Sequence, residues 1–151
     1  MIKPSRKLLF AIEAILDIAY HSVGVPVQSS EITRRQGIPR RYLEQTLQSM
    51  VRAGILTGMR GPKGGYRLAR ERAKITLGEI VKVVRATETV DESDGYSPQS
   101  DLGSFVIKPL WAELTVDVMN RLNAITVDEM CTRAYRHGVK SEADHKLDFN
   151  I

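Results

Sequence analysis

Apolar and polar positions along this chain recur mostly with a helical period. From Arg6 to His21, the positions Leu8, Ile12, Ile15, Leu16 and Ala19 fall at steps of three and four, which predicts an amphipathic helix with one packing stripe. From Arg40 to Arg52, Leu43, Leu47, Met50 and Val51 share one face, while Arg41, Glu44, Gln45, Gln48 and Arg52 form a polar stripe opposite. From Lys108 to Ala124, Trp111, Leu114, Val118, Leu122 and then Ile125 form a seam suited to lengthwise packing on a partner helix. Pro109 is tolerable there only near the first turn.

Punctuation between the periodic runs sets the order. Ser29 is a serine N-cap for a short helix that Gly37 ends, and Pro39 suits the first turn of the next helix. Val23 to Val27, with Gly24 and Pro26, reads as a turn and an edge strand. Gly54 closes the second of the two helices. Ile55 to Arg60 and Tyr66 to Leu68 are short strands, with Gly61-Pro62-Lys63-Gly64-Gly65 as the turn between them. Thr76 and Glu79 form a capping box stapled by Ile75 and Ile80, opening a mostly buried helix to about Thr87 that carries Val81, Val83 and Val84. Thr126 and Glu129 repeat the device and start a last helix to about His137. Two helices on a tight turn followed by a hairpin define a winged helix-turn-helix. The fold class is mainly α with a small β-hairpin wing and a long C-terminal dimerisation helix.

The predicted organisation is a DNA-binding domain over 1–87, an acidic flexible loop over 88–103, dimerisation helices over 104–137 and a polar, frayed tail over 138–151. In this fold the second helix enters a DNA groove. Arg and Gln contact base edges in forked geometry and Glu accepts from cytosine N4, so the polar stripe has the chemistry of major-groove readout. The candidate contact residues are Arg40, Arg41, Tyr42, Glu44, Gln45 and Gln48, with Arg60 and Lys63 on the wing. The wing glycines permit positive φ and close approach to a sugar-phosphate backbone, so that Arg60 or Lys63 reaches a minor groove. Gly61 to Gly65 fails as a nucleotide-phosphate loop, because neither Gly-Lys-Ser/Thr opening a helix nor GxGxxG in a βαβ unit is present.

Charge sharpens this reading. The net charge is only +4, yet between Thr33 and Lys74 eleven basic residues stand against two acids, a local balance of 11 − 2 = +9. That coincidence of charge and motif points to a phosphate-backbone footprint. At 151 residues the chain is long enough for a real core, and it has no apolar run long enough for a membrane span. Its basic start resembles a secretion signal, but Glu13 and Asp17 interrupt the following apolar stretch, so a cytoplasmic protein is expected. One cysteine excludes an internal disulfide framework. Three scattered histidines, His21, His137 and His145, make no catalytic or metal-ligand spacing, and His21 reads as a surface or capping residue.

The YLEQ of Tyr42 to Gln45, the RGPKGGY of Arg60 to Tyr66 and the later helix carrying Leu110-Trp111 resemble the Rrf-two family of bacterial transcription regulators, over about Lys7 to Arg136. The resemblance implies a homodimer that reads a pseudo-palindromic operator in double-stranded DNA, with Glu44 and Gln45 at base-contacting positions and Arg60 at that of a minor-groove arginine. Arg41 departs from the small serine of a cluster-binding member and so implies a different operator. Cluster-binding members carry three cysteines in the loop that is Glu88 to Gly103 here, and often a histidine where Lys108 stands. This chain has no cysteine there, so no cofactor and no metal are expected. Cys131, in the family's C-terminal dimer region, reads as a small half-buried residue or as a redox thiol activated by Arg133 and Arg136.

The expected function is therefore a sequence-specific repressor, not an enzyme, whose signal is a metabolic-enzyme partner, thiol chemistry or a small-molecule effector. Two alternatives stay open: a winged helix that docks another protein through its basic face, and a regulator that holds an iron-sulfur cluster through unconventional ligands.

Overall fold

The computed structural model describes residues 3–22, 24–88 and 95–142. Helix α1 (Arg6–His21) is capped by Ser5, whose side chain accepts from the Leu8 amide. Its most buried face is Ala11, Ala14, Ile15 and Ile18, with the expected Leu8, Ile12, Leu16 and Ala19 along the flanks. The small alanines belong in the centre because four helices converge on this one: α2 (Ser29–Gln36), α3 (Arg40–Arg52), α4 (Leu77–Thr87) and α6 (Val127–Arg136) all pack on α1.

Helix α2 is not capped by the serine that the sequence suggests. Gln28 is the N-cap, its amide donating to the Glu31 carboxylate at 2.9 Å, and Gly37 ends the helix in the left-handed conformation at φ 67°. In α3 the buried positions are Leu43, Thr46, Leu47 and Met50, whereas Val51 is exposed. The core face is thus rotated toward Thr46, and Val51 borders the wing. Strands β1 (Leu56–Met59) and β2 (Gly65–Leu68) pair antiparallel, with Gly58 opposite Tyr66. Val27 joins the hairpin by a single bridge, exchanging both backbone hydrogen bonds with Tyr66 at 2.8 and 2.7 Å. That bridge is all the structure forms of the expected edge strand, and Val23 lies outside the described residues.

After a 3₁₀ turn (Arg72–Lys74), α4 starts on the predicted box: the Glu79 amide donates to Thr76 Oγ1 at 3.2 Å and the Thr76 amide to Glu79 Oε2 at 3.0 Å. Helix α6 (Val127–Arg136) keeps half of that device, because Glu129 pairs with Arg133 at 3.0 Å instead of reaching back. The two helix starts are tied to each other: Leu77 donates to Ile125 O and Val127 to Ile75 O, both at 2.8 Å.

Between them, helix starts earlier than Pro109 predicts. Helical backbone begins at Asp101 and passes through a π turn (Gly103–Ile107) into α5 (Lys108–Ala124), with the Lys108 amide donating to Gly103 O. The wide turn just ahead of Pro109 accommodates a residue that has no amide to give and whose ring crowds the preceding turn. Gly78 lets α5 approach α4 closely, since a side chain there would collide with Asn123. Even so, α5 has no buried residue. Helix α6, expected among the dimerisation helices, adds Val127 and Cys131 to the core. Of the tail expected to fray, Val139 to Glu142 pack against α1, and 143–151 lie outside the described residues, as do 89–94 of the expected loop.

Candidate nucleic-acid interface

The polar stripe of α3 keeps the exposure its period implies. Arg41, Glu44, Gln48 and Arg52 face outward, and Arg40 Nε donates to Glu44 Oε1 at 2.9 Å across one helical turn. That pair is exposed on both sides, so it restrains the Glu44 carboxylate weakly. Tyr42 is partly turned aside: its ring lies 6.1 Å from that of Phe10 and serves the α1–α3 contact.

The wing folds back over the same face. Gly61 takes φ 104° and accepts the Gly64 amide at 2.9 Å, which closes the tip and leaves Arg60 and Lys63 exposed. Gly64 and Gly65 are required by the protein's own backbone: a Cβ on Gly64 would collide with Met59 O, and one on Gly65 would lie 2.5 Å from Val27 O. Gln28 donates from Nε2 to Pro62 O at 3.2 Å and braces the wing tip.

These elements border a concavity of about 790 Å³ between the start of α2, one face of α3 and the wing. Of the candidate residues it brings together Arg40, Gln48 and Arg60; Arg41, Glu44, Gln45 and Lys63 stand outside its rim. Ser29, Ser30 and Arg52 line it as well. Sequence reasoning treated Ser29 only as a cap, although two serines at a helix start, close to an arginine-rich wing, are a signal for an oxyanion-facing surface.

The basic cluster divides into two populations. Six of the eleven cations have carboxylate partners: Arg34 and Arg35 with Glu142, Arg35 also with Asp17, Arg40 with Glu44, Arg70 with Glu79, Arg72 with Asp128 and Lys74 with Glu71. Arg41, Arg52, Arg60, Lys63 and Arg67 have no such partner among the described residues. All five are exposed on α3 or the wing hairpin. The cluster's cations without a carboxylate partner among the described residues are therefore confined to two neighbouring elements.

Arg35 is the clearest departure. Its side chain is only 9% exposed and grips buried Asp17 with two bonds of 2.8 Å, while Gln36 adds a third at 2.7 Å. The hydrogen bond to Asp17 pushes the Arg35 pKa up. His21, expected at the surface, belongs to the same cluster: its Nδ1 accepts the Glu142 amide at 3.1 Å, and burial lowers its pKa. Burial favours the neutral form of Glu142, but Arg35 and Arg34 outweigh it and hold the carboxyl below its usual range.

Cys131 does not have the surroundings of a reactive thiol. It is 4% exposed, burial pushes its pKa up against the pull of Arg72, and Arg133 is engaged with Glu129. The donor set also fails to fit an iron-sulfur cluster, because the chain's one cysteine is buried on α6. Among the described residues no three His, Cys, Asp or Glu side chains converge on a metal position.

A helix-turn-helix whose second helix shows a polar face beside a cationic wing is the architecture of a winged-helix DNA-binding protein. Residues 4–133 match the model of the Rrf2 family, described as iron-dependent transcriptional regulators. The chain is 34% identical over 128 residues to the HTH-type transcriptional regulator IscR of Vibrio atlanticus, covering 85% of this chain and 74% of that one. It is 35% identical over 123 residues to IscR of Photobacterium profundum, covering 80% and 70%. The solved structure of T. potens IscR superposes with a TM-score of 0.71 at 32% identity, over 87% of this chain and 88% of that one. CymR, the global cysteine regulator of B. subtilis, shares the fold with a TM-score of 0.71 at 23% identity, over 88% and 98%. The chain belongs to the Rrf2 family of transcription regulators and is a DNA-binding regulator, not an enzyme. No helix among the described residues is long and apolar enough to cross a membrane.

Proposed function

We propose that this regulator acts in the cytoplasm as a homodimeric repressor on a pseudo-palindromic operator, and that it does so without an iron-sulfur cluster. The observation that carries the reading is the segregation of charge. The cations of the basic stretch left without carboxylate partners among the described residues all stand on α3 and the wing, where a duplex would meet them. In this reading Arg41, Glu44, Gln45 and Gln48 read base edges, Arg40 and Tyr42 secure the start of α3, and Arg60 and Lys63 set register in the adjacent minor groove.

Dimerisation is assigned to α5. Trp111, Leu114 and Val118 are 55%, 45% and 46% exposed in the protomer, and Leu122 is half-buried, which is a costly arrangement for a lone chain and an ordinary one for half of an interface. A two-fold axis beside α5 would present two α3 helices to a duplex, as a palindromic operator requires.

The test is selection of bound duplexes from a random pool, followed by titration of the winner and its single-base variants at fixed salt. A two-fold symmetric consensus with losses concentrated at a few positions is expected. Sequence-blind binding that disappears with salt would instead indicate a protein-docking winged helix.

A further inference from the structure

The wing carries its two cations past the end of its own sheet. Strands β1 and β2 pair over four residues each, the last pair being Met59 opposite Gly65, so Arg60 and Lys63 lie beyond the ladder. A two-stranded hairpin of that length is marginal by itself. Within the tip the Gly64 amide donates to Gly61 O at 2.9 Å, a bond that shapes the turn but does not aim it. Among the described residues, the one hydrogen bond that reaches 60–64 from outside the hairpin runs from Gln28 Nε2 to Pro62 O, at 3.2 Å. A carbonyl can only accept, so the glutamine must donate through its amide nitrogen.

The other end of that bond is firmly placed. The Gln28 backbone amide is held by the Glu31 carboxylate at the start of α2, and the preceding residue, Val27, exchanges both backbone bonds with Tyr66 across the close approach that Gly65 permits. Helix α2 in turn packs on α3. Contacts therefore run from α3 through α2 and Gln28 to Pro62, which stands between Arg60 and Lys63 in the chain. We propose that Gln28 is a positioning residue: it holds the wing tip at a set distance from α3, so that Arg60 and Lys63 meet the duplex in register with Glu44, Gln45 and Gln48. The bracing of the tip stands on geometry alone, whereas its effect on operator register rests on the proposed function. Gln28→Leu separates the two ends of the brace, since it keeps an apolar stem of similar bulk and the backbone cap but removes the donor.

The first measurement needs no DNA. In full-length Gln28→Leu, hydrogen exchange of the Gly64 amide should speed up about fivefold, the equilibrium worth of one ordinary hydrogen bond, while the amides of α3 keep their protection. The second uses the operator obtained by selection. Gln28→Leu should weaken operator binding at least about fivefold in the otherwise unaltered protein, but less than about twofold in a background carrying Arg60→Ala and Lys63→Ala, where the brace has no cation left to aim. One base pair inserted between the flank met by the wing and the half-site read by α3 should cost the unaltered protein more than it costs Gln28→Leu, a difference that general loosening of the head would not produce. Unchanged exchange at Gly64 overturns the brace. Equal losses in the two backgrounds, or equal penalties for the inserted base pair, overturn the positioning role and leave Gln28 a direct contact or a structural residue. Faster exchange in a protein that shows no operator preference sinks the proposed function and leaves the brace standing.

Discussion

The reading head and the α5 arm satisfy their sequences in opposite ways. In the head, apolar side chains from α1, α2, α3, α4, α6 and β1 close on one another, and even a carboxylate is taken inside because Arg35 and Gln36 saturate it. In the arm, seventeen helical residues include Leu, Trp and Val but bury none. One is a finished object and the other an unfinished one. The contrast teaches that helical periodicity identifies an apolar face without saying whether the chain itself will cover it.

The largest break in that contrast should come from Asp17→Ala. It leaves the Arg35 guanidinium buried without its bidentate partner, and a loss of about 3 to 5 kcal/mol is expected in urea unfolding. A loss near zero would mean that the cluster is solvated and that the head is less closed than its packing implies. Next, Leu114→Asp should leave the head folded by circular dichroism but turn the protein monomeric in sedimentation. Operator affinity should fall about 100-fold or more as the two half-sites become independent of each other. A dimer that survives this substitution removes α5 from the interface.

Smaller effects sharpen the comparison within the head. Gln45→Ala should relax preference at one base step and cost about 1 to 3 kcal/mol per half-site, read from binding to operator variants. Lys63→Ala should weaken every duplex alike and reduce the salt slope by about 0.9 for each phosphate that is no longer neutralised. A base-selective loss would make Lys63 a reader. The smallest effect is on pH dependence. His21 has a lowered pKa in the folded state, so the unfolded chain binds more protons as pH drops below 6.5, and stability falls on acidification from neutrality. Glu142, also lowered, adds its loss only at more acidic pH, below its ordinary 4.5. Thermal melts of His21→Gln should therefore lose the first part of that decline, the part that sets in as pH drops below 6.5, and keep the second.

Much of this architecture was legible because it is written locally. Gly37 and the Thr76–Glu79 box act within a few residues of themselves, and α1, α3, α4 and α5 lie where period and punctuation place them. What was illegible depends on residues far apart in the chain. Arg35 counts as one more cation for DNA until Asp17, 18 positions earlier, and Glu142, 107 later, are known to meet it. His21 reads as a surface residue until the tail folds back to donate to it. Val51 matches the apolar period of α3, yet Thr46 takes the buried place because the wing, not the core, lies beside Val51. The π turn was hidden for a different reason: Pro109 announces where a regular helix should begin, not that a wider turn can carry helix through it.

The backbone tie between Ile75–Leu77 and Ile125–Val127 makes the far end of α5 a fulcrum. That end is fastened to the head by two hydrogen bonds and by the close approach at Gly78. A seventeen-residue helix is a lever of about 25 Å at 1.5 Å per residue. Pivoted there, a tilt of roughly 5° sweeps Lys108 through about 2 Å while Ala124 hardly moves. In the proposed two-fold pair the two levers would act in opposite senses, so a small push at one end of the arm would change the distance between two reading heads.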